Sequence, residues 1–204
     1  MKKLSTLALA LLMSSQAFAS GQVFYRYGIS KLSEDRGGQI FTDTGAAAGK
    51  NDDDQGTSLS AGLDLKLMDC PLSNNSLLGE VYVDYNKFSD KRVANAIGQV
   101  AGVEPKVNEV TVSQLAVVIA PKYRFELGKF RPWIIPAGLA FLVNSPPSNT
   151  TNYLDVGYHA GVGAEYMVLK ELSLGADVRY TAGAGDPQLK VKYTSYGAYL
   201  GINF

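Results

Sequence analysis

The chain has 204 residues, with 19 Lys+Arg against 19 Asp+Glu, a formal net charge of +0 and 46% apolar residues. That balance carries no electrostatic footprint for nucleic acid. Beyond the first residues there is no run of about 18 apolar residues, which excludes a helical membrane protein but not a barrel, whose strands are only half apolar.

The start of the chain reads as an address. Met1-Lys2-Lys3 is cationic, Leu4 to Met13 is apolar, and Ala17-Phe18-Ala19 before Ser20 gives the small-x-small pattern of a cleaved signal peptide over 1–19. Without Lys2 and Lys3, 17 Lys+Arg face 19 Asp+Glu, a net charge of −2 over 20–204. That size suits one domain. Cys70 is the single cysteine, so no internal disulfide is expected, and its surroundings, Met68 to Asn75, read as a turn.

Eight segments then alternate with period 2, the mark of a strand with two differently solvated faces. In the first, Val23, Tyr25, Tyr27 and Ile29 oppose Phe24, Arg26, Gly28 and Ser30, and a polar loop follows from Lys31 to Thr57. The second sets Leu59, Ala61, Leu63, Leu65 and Leu67 against Ser60, Gly62, Asp64 and Lys66. The third sets Val81, Val83 and Tyr85 against Glu80, Tyr82, Asp84 and Asn86, with a loop expected from Lys87 to Val107. The fourth places Leu115, Val117, Ile119, Pro121, Tyr123 and Phe125 opposite Gln114, Ala116, Val118, Ala120, Lys122 and Arg124, before a turn at Glu126 to Lys129.

The fifth is read with Trp133, Ile135, Ala137, Leu139, Phe141 and Val143 outward, and with an unusually apolar inner set of Ile134, Pro136, Gly138, Ala140 and Leu142. Pro121 and Pro136 cannot donate to a ladder, so a bulge is expected near each. A loop over Asn144 to Thr150 leads to the sixth, where Val156, Tyr158, Val162 and Tyr166 oppose Asp155, His159 and Glu165. After a turn at Val168 to Glu171, the seventh sets Leu172, Leu174, Val178 and Tyr180 against Ser173, Asp177, Arg179 and Thr181. A loop over Gly183 to Lys190 precedes the eighth, where Tyr196, Ala198, Leu200, Ile202 and Phe204 oppose Ser195, Gly197, Tyr199, Gly201 and Asn203.

Long and short connections alternate, and each segment is near the roughly 9–11 residues that a tilted strand needs to cross the hydrocarbon. The expected fold is all-β: an eight-stranded antiparallel up-and-down transmembrane β-barrel, monomeric, with both ends of the chain periplasmic. Outward aromatics should then collect at two levels, Phe125, Trp133, Tyr166 and Phe204 at one, Tyr85, Phe141, Tyr180 and Tyr196 at the other. A soluble lipocalin-like barrel would instead put apolar side chains inside.

Segments such as Leu78-Gly-Glu-Val-Tyr-Val-Asp-Tyr85, Lys122-Tyr-Arg-Phe125 with Phe130-Arg-Pro-Trp133, and Gly161-Val-Gly-Ala-Glu-Tyr166 resemble the small outer-membrane barrel family of Gram-negative bacteria. That family includes the OmpA membrane domain, the opacity-type proteins and OmpX. The resemblance covers 20–204 and implies the cell outer membrane, with recognition of the strand Tyr196 to Phe204 by the barrel assembly machinery. OmpA itself carries a periplasmic peptidoglycan-binding domain after its barrel, whereas this chain is expected to stop at the barrel, so that role is not carried over.

The inner face gathers Arg26, Lys66, Lys122, Arg124 and Arg179 with Asp64, Glu80, Asp84, Glu165 and Asp177. An eight-stranded barrel is filled by its side chains, and isolated buried charge costs several kcal/mol, so these residues should form a neutralising network that plugs the lumen. A structural or adhesin-like role through the surface loops follows, with outer-membrane lipid, lipopolysaccharide and an extracellular partner at loops 1 and 2 as contacts. The alternative is a narrow, gated, porin-like path for small ions through the same residues. No enzyme is expected: His159 is the only histidine and has no Ser beside it on the inner face. Asp52, Asp53 and Asp54 form a weak divalent-cation site or a solvated acidic loop, since EF-hand spacing is absent. No metal, cofactor or nucleic acid is expected.

Overall fold

Alternating apolar and polar side chains impose an extended backbone, because only a strand sends successive residues to opposite faces. The computed structural model describes residues 20–33, 55–70, 75–94, 107–145, 154–184 and 192–204, with backbone alone over 89–94 and 107–112. Eight strands form: β1 (Gly21–Leu32), β2 (Gln55–Asp69), β3 (Asn75–Ala94), β4 (Val107–Phe125), β5 (Phe130–Ser145), β6 (Leu154–Met167), β7 (Leu172–Gly183) and β8 (Lys192–Asn203). Each pairs antiparallel with the next, and β8 returns to β1, so the sheet closes into a barrel. Closure satisfies the backbone without a free edge, as a wall in lipid requires. No helix occurs among the described residues.

The closing seam runs from Gln22↔Asn203 to Leu32↔Tyr193, and Gly21 and Phe204 exchange two backbone hydrogen bonds of 2.9 and 3.0 Å below it. Short connections gather at that same end. At Glu126 to Lys129, Leu127 N donates to Phe130 O and Gly128 adopts φ 71°, which a residue with Cβ rarely does. At Val168 to Glu171, Val168 N donates to Leu172 O, and near the third turn Cys70 N donates to Asn75 O. The segment 1–19, the loop-1 acids Asp52, Asp53 and Asp54, and the loop-2 stretch beyond Ala94 lie outside the described residues.

Two features depart from expectation. The loop expected from Lys87 begins later, because β3 and β4 go on pairing from Asp90↔Thr111 to Ala94↔Val107 beyond a register shift. Pairing with β2 stops at Phe88 and with β5 at Ser113, so this ribbon rises past the closed wall.

The second concerns β5. Its pairing slips by one residue against both neighbours, between Ile135 and Gly138 towards β6, and between Leu139 and Ile134 towards β4. Pro136 and Pro121 both lie in that break, where neither needs to donate; towards β3, however, Pro121 keeps an unbroken register, so β4 has no bulge of its own. A one-residue bulge reverses the face of everything before it. Gly138, Ala140 and Leu142 therefore point inward as expected, but Ile134 and Pro136 point outward and Arg131, Trp133 and Ile135 point inward. Trp133 is 2% exposed and belongs to the lumen, not to the aromatic girdle.

Elsewhere the faces sort as a transmembrane barrel requires. Tyr27 is 65% and Leu59 60% exposed, while Arg26 and Asp64 are each at 1%. Tyr85, Phe125, Phe141, Tyr166, Tyr196 and Phe204 are exposed and Tyr180 half-buried on the outer face, joined by Phe130, which pairs with Tyr166. Inside, small residues of β4 and β5 (Ala116, Val118, Ala120, Ala140) share one cluster with large ones: Phe24 of β1, Tyr199 of β8 and Tyr82 of the neighbouring β3. Glycine makes room at two close approaches: a Cβ at Gly175 would meet the Tyr199 ring, and one at Gly197 the Arg26 guanidinium.

Candidate functional site

The inward positions of β1, β2, β3, β4 and β7 bring six charges into one alternating chain. Asp64 Oδ2 lies 2.7 Å from Lys122 Nζ, which also reaches Glu80 Oε2 at 3.1 Å. Glu80 Oε1 meets Arg179 Nη1 at 2.5 Å, and Arg179 Nε donates to Asp177 Oδ2 at 3.0 Å. Asp177 Oδ1 accepts from Arg26 Nε at 2.6 Å and completes the series. Three anions and three cations cancel, and every member is buried. Such burial is tolerable only because each charge has an opposite partner, although Asp64 keeps Oδ1 without a hydrogen bond among the described residues.

Aromatic rings wrap the cations. Lys122 Nζ stands 4.3 Å from the Trp133 ring centroid, and the Arg179 guanidinium carbon 4.4 Å from that of Tyr82. Trp133 Nε1 donates to Tyr199 OH at 2.8 Å, fixing the indole across the barrel. Phe24 lies 6.2 Å from Tyr82 and 5.8 Å from Tyr199, centroid to centroid. Charge chain and rings are in mutual contact inside the barrel, and this is the candidate plug.

A second layer closes the short-connection end. Glu165 Oε1 pairs with Arg131 Nη2 at 2.8 Å and with Arg124 Nη1 at 3.5 Å, while Glu165 Oε2 accepts from Gln22 Nε2 at 2.9 Å. Asn203 ties the layer to β8: its Oδ1 accepts from Gln22 and Arg131, and its Nδ2 donates to Ser173 Oγ. Arg124 sits at the rim, held mainly by Glu126 at 2.8 Å.

On the long-connection side the described inward charges are the carboxylates of Asp84 and, towards the rim, Asp155; Asp84 is the fully buried one. That buried carboxylate joins no ion pair of the chain and accepts instead from Ser58 Oγ and Ser60 Oγ at 2.7 Å, Asn86 Nδ2 at 2.8 Å and Tyr193 OH at 3.1 Å. Four donors replace a counter-ion. Asn86 in turn accepts from Ser30 Oγ. His159 is buried here, its Nδ1 2.9 Å from Thr181 Oγ1, while its Nε2 and Gln114 Oε1 have no hydrogen-bond partner among the described residues.

Of the sequence-derived set, Arg26, Asp64, Glu80, Lys122, Asp177 and Arg179 thus come together in the chain, Glu165 and Arg124 join the end layer, and Asp84 stands apart. Lys66 does not join: it keeps the inward phase, paired with Leu78, but lies past the last β1–β2 pair at the end of the barrel, where its Nζ meets Asp69 Oδ1 at 2.6 Å. The reading along the sequence missed Arg131 and Trp133 because it carried one phase through all of β5. A signal was present, since that phase put Arg131 on the lipid side and an apolar set inside. Among the described residues no group of three His, Cys, Asp or Glu is placed to hold a metal ion.

Comparison with known proteins agrees with this geometry. The family model described as the outer membrane protein beta-barrel domain matches residues 5–204. No curated protein matches the chain in sequence. Among solved structures, Neisserial surface protein A is 15% identical with a TM-score of 0.59, covering 91% of this chain and 99% of that one. The attachment invasion locus protein Ail of Yersinia pestis is 12% identical with a TM-score of 0.51 (92% and 99% covered), and the outer membrane enzyme PagL is 16% identical with 0.52 (89% and 98%). At such identities the likeness is one of fold.

Proposed function

The chain belongs to the outer-membrane β-barrel family, and from that premise we propose that it is a plugged barrel that acts at the cell surface through its long connections. The outer-membrane location and the transmembrane barrel come with the family. The surface role is supported by one observation above the rest: the buried chain from Asp64 to Arg26 has its charges paired, and two of its three cations, Lys122 and Arg179, are covered by rings. That arrangement favours a plug over a path, and recognition would then fall to the connections that a rigid barrel displays. Attachment, the activity that the name of Ail carries, is the class of activity to test first.

Planar-bilayer recording separates this reading from conduction. The purified protein is expected to give no stable openings, and stable wild-type openings abolished by Glu80→Gln would overturn the plug. Deleting Arg92 to Glu104 is expected to lower attachment to host-cell surfaces or phage sensitivity, and unchanged values for both would count against the surface role.

A narrow gated path for small ions is the second reading. It draws on His159 Nε2 and Gln114 Oε1, buried polar atoms whose lack of protein partners suits a hydrated lumen beyond the plug. Enzymatic action has less support. The one histidine faces the lumen, with Thr181 and the Tyr82 ring as its neighbours and no serine in hydrogen-bond contact.

A further inference from the structure

Charge inside the barrel is sorted along its axis. Every inward Lys and Arg with a described side chain lies in the six-charge chain or nearer the short connections. Beyond the chain, towards the long connections, the only inward charges among described side chains are the two carboxylates. Asp84 is satisfied by its four donors. Asp155 is not: its Oδ1 accepts from Val156 N at 2.8 Å, but its Oδ2 is buried with no hydrogen-bond partner among the described residues.

Glycine decides where that oxygen sits. After Asp155 the inner face of β6 continues with Gly157 and His159, which pair with Gly183 and Thr181 of β7, and Gly157 pairs with Ala140 of β5 on its other side. A Cβ at Gly183 would collide with Asp155 Oδ2, so the carboxylate leans over the glycine pair. Asp155 and His159 are four residues apart, about 14 Å of strand, and the lean takes up about half of it. The small row of Ala140, Gly157 and Gly183 thus leaves a recess roughly 7 Å deep between the carboxylate and the imidazole. His159 forms its floor at 0% exposed, with Nε2 unpartnered among the described residues. On the opposite side of the mouth the apolar cluster of Leu32, Phe88 and Tyr193 covers Asp84, so the polar approach runs along β4 to β6, past Gln114 and Asn144.

We propose that this recess binds a small protonated amine, whose ammonium group donates one N–H to Asp155 Oδ2 and another to His159 Nε2. Both free atoms accept, the imidazole in the tautomer whose Nδ1–H donates to Thr181 Oγ1 at 2.9 Å. An anionic acceptor and a neutral one, with no inward cation on that side of the chain, suit a cation that carries several N–H donors. A metal ion would want more ligands, and no group of three His, Cys, Asp or Glu is placed for one among the described residues. Below the floor the Tyr82 ring contacts both the His159 ring and the Arg179 guanidinium, so the recess ends on the charge chain. The chain serves here only as a floor, and the recess stands under either the plugged or the gated reading.

His159 is the only histidine, so protein labelled with 15N-histidine and folded in detergent micelles reports on the recess through one imidazole. At fixed pH and ionic strength, methylammonium should shift its Nε2 signal saturably. Tetramethylammonium, which has the charge but no N–H, and potassium should not. Losing a hydrogen bond to a charged group corresponds to about tenfold or more in affinity, so Asp155→Asn should weaken methylammonium binding by at least that factor. Gly183→Ala keeps the charge but displaces the carboxylate, a flexible neighbour that can yield, and should weaken binding as well. Asp69→Asn, at the other end of the barrel, should bind like wild type. Heat-dependent gel migration establishes that each protein is folded. The absence of a saturable shift, equal affinity in Asp155→Asn, or an equal response to tetramethylammonium would overturn the site. An equal response to potassium would overturn the amine assignment. Bilayer recording of the same protein keeps the readings apart: openings without a methylammonium shift would remove the recess and leave the gated path, whereas a shift without openings would support recess and plug together.

Discussion

Trp133 and Glu80 show what a single inward side chain does in this lumen. Trp133 is the only tryptophan, so its fluorescence reports on one place. Being 2% exposed and bonded to Tyr199 OH, it should resist quenching by lipids brominated along their acyl chains, which act only on contact. Strong quenching would return it to the girdle. Glu80 bridges Lys122 and Arg179, and Glu80→Gln leaves three buried cations against two carboxylates in the chain. Removing one partner of a buried pair costs about 3–5 kcal/mol. Urea unfolding from lipid vesicles should show a loss of that size. A loss below about 1 kcal/mol, the range of solvent-screened pairs, would mean that water reaches the chain.

At the scale of the strand, β5 carries the least obvious feature of the molecule. The bulge at Pro136 and Ala137 lets Leu142, Ala140 and Gly138 face inward on one side of it and Ile135, Trp133 and Arg131 on the other. Deleting Ala137 removes the extra residue, so one half of the strand must present the wrong face. Either Arg131 leaves Glu165 and turns to lipid, or Leu142 and Ala140 leave the core. The deletion should therefore abolish refolding into vesicles, seen as loss of the heat-dependent gel shift. Normal refolding would show that β5 tolerates either phase. Seven strands were legible in the sequence because strict alternation needs only the period. The eighth was not, although Pro121 and Pro136 announced a bulge, because a proline says that the ladder breaks without saying which strand gains a residue. Arg131 held the missing information: an arginine on the lipid face is worth avoiding, and reversing the phase there recovers both it and Trp133. Lys66 failed for a different reason: alternation gives its face but not its depth, and it falls at the end of the barrel beside Asp69 rather than among the buried charges.

For the whole molecule the decisive question is whether barrel and surface role are separable. The β1–β8 seam, the six-charge chain, the Glu165 layer and both apolar clusters are built from strand residues. Long connections also carry an entropic cost on closure, though halving one saves only about 0.6 kcal/mol. Replacing all four with tight Asn-Gly turns should thus leave a barrel that refolds, shows the same heat-dependent gel shift and keeps Trp133 protected. The same variant should lose attachment altogether, because its rigid part presents little but lipid-facing wall. A variant that fails to refold would mean that the connections help to hold the barrel together, and the plug would then no longer suffice to explain a stable, closed lumen. A variant that refolds and still attaches would move the surface role from the connections to the wall itself.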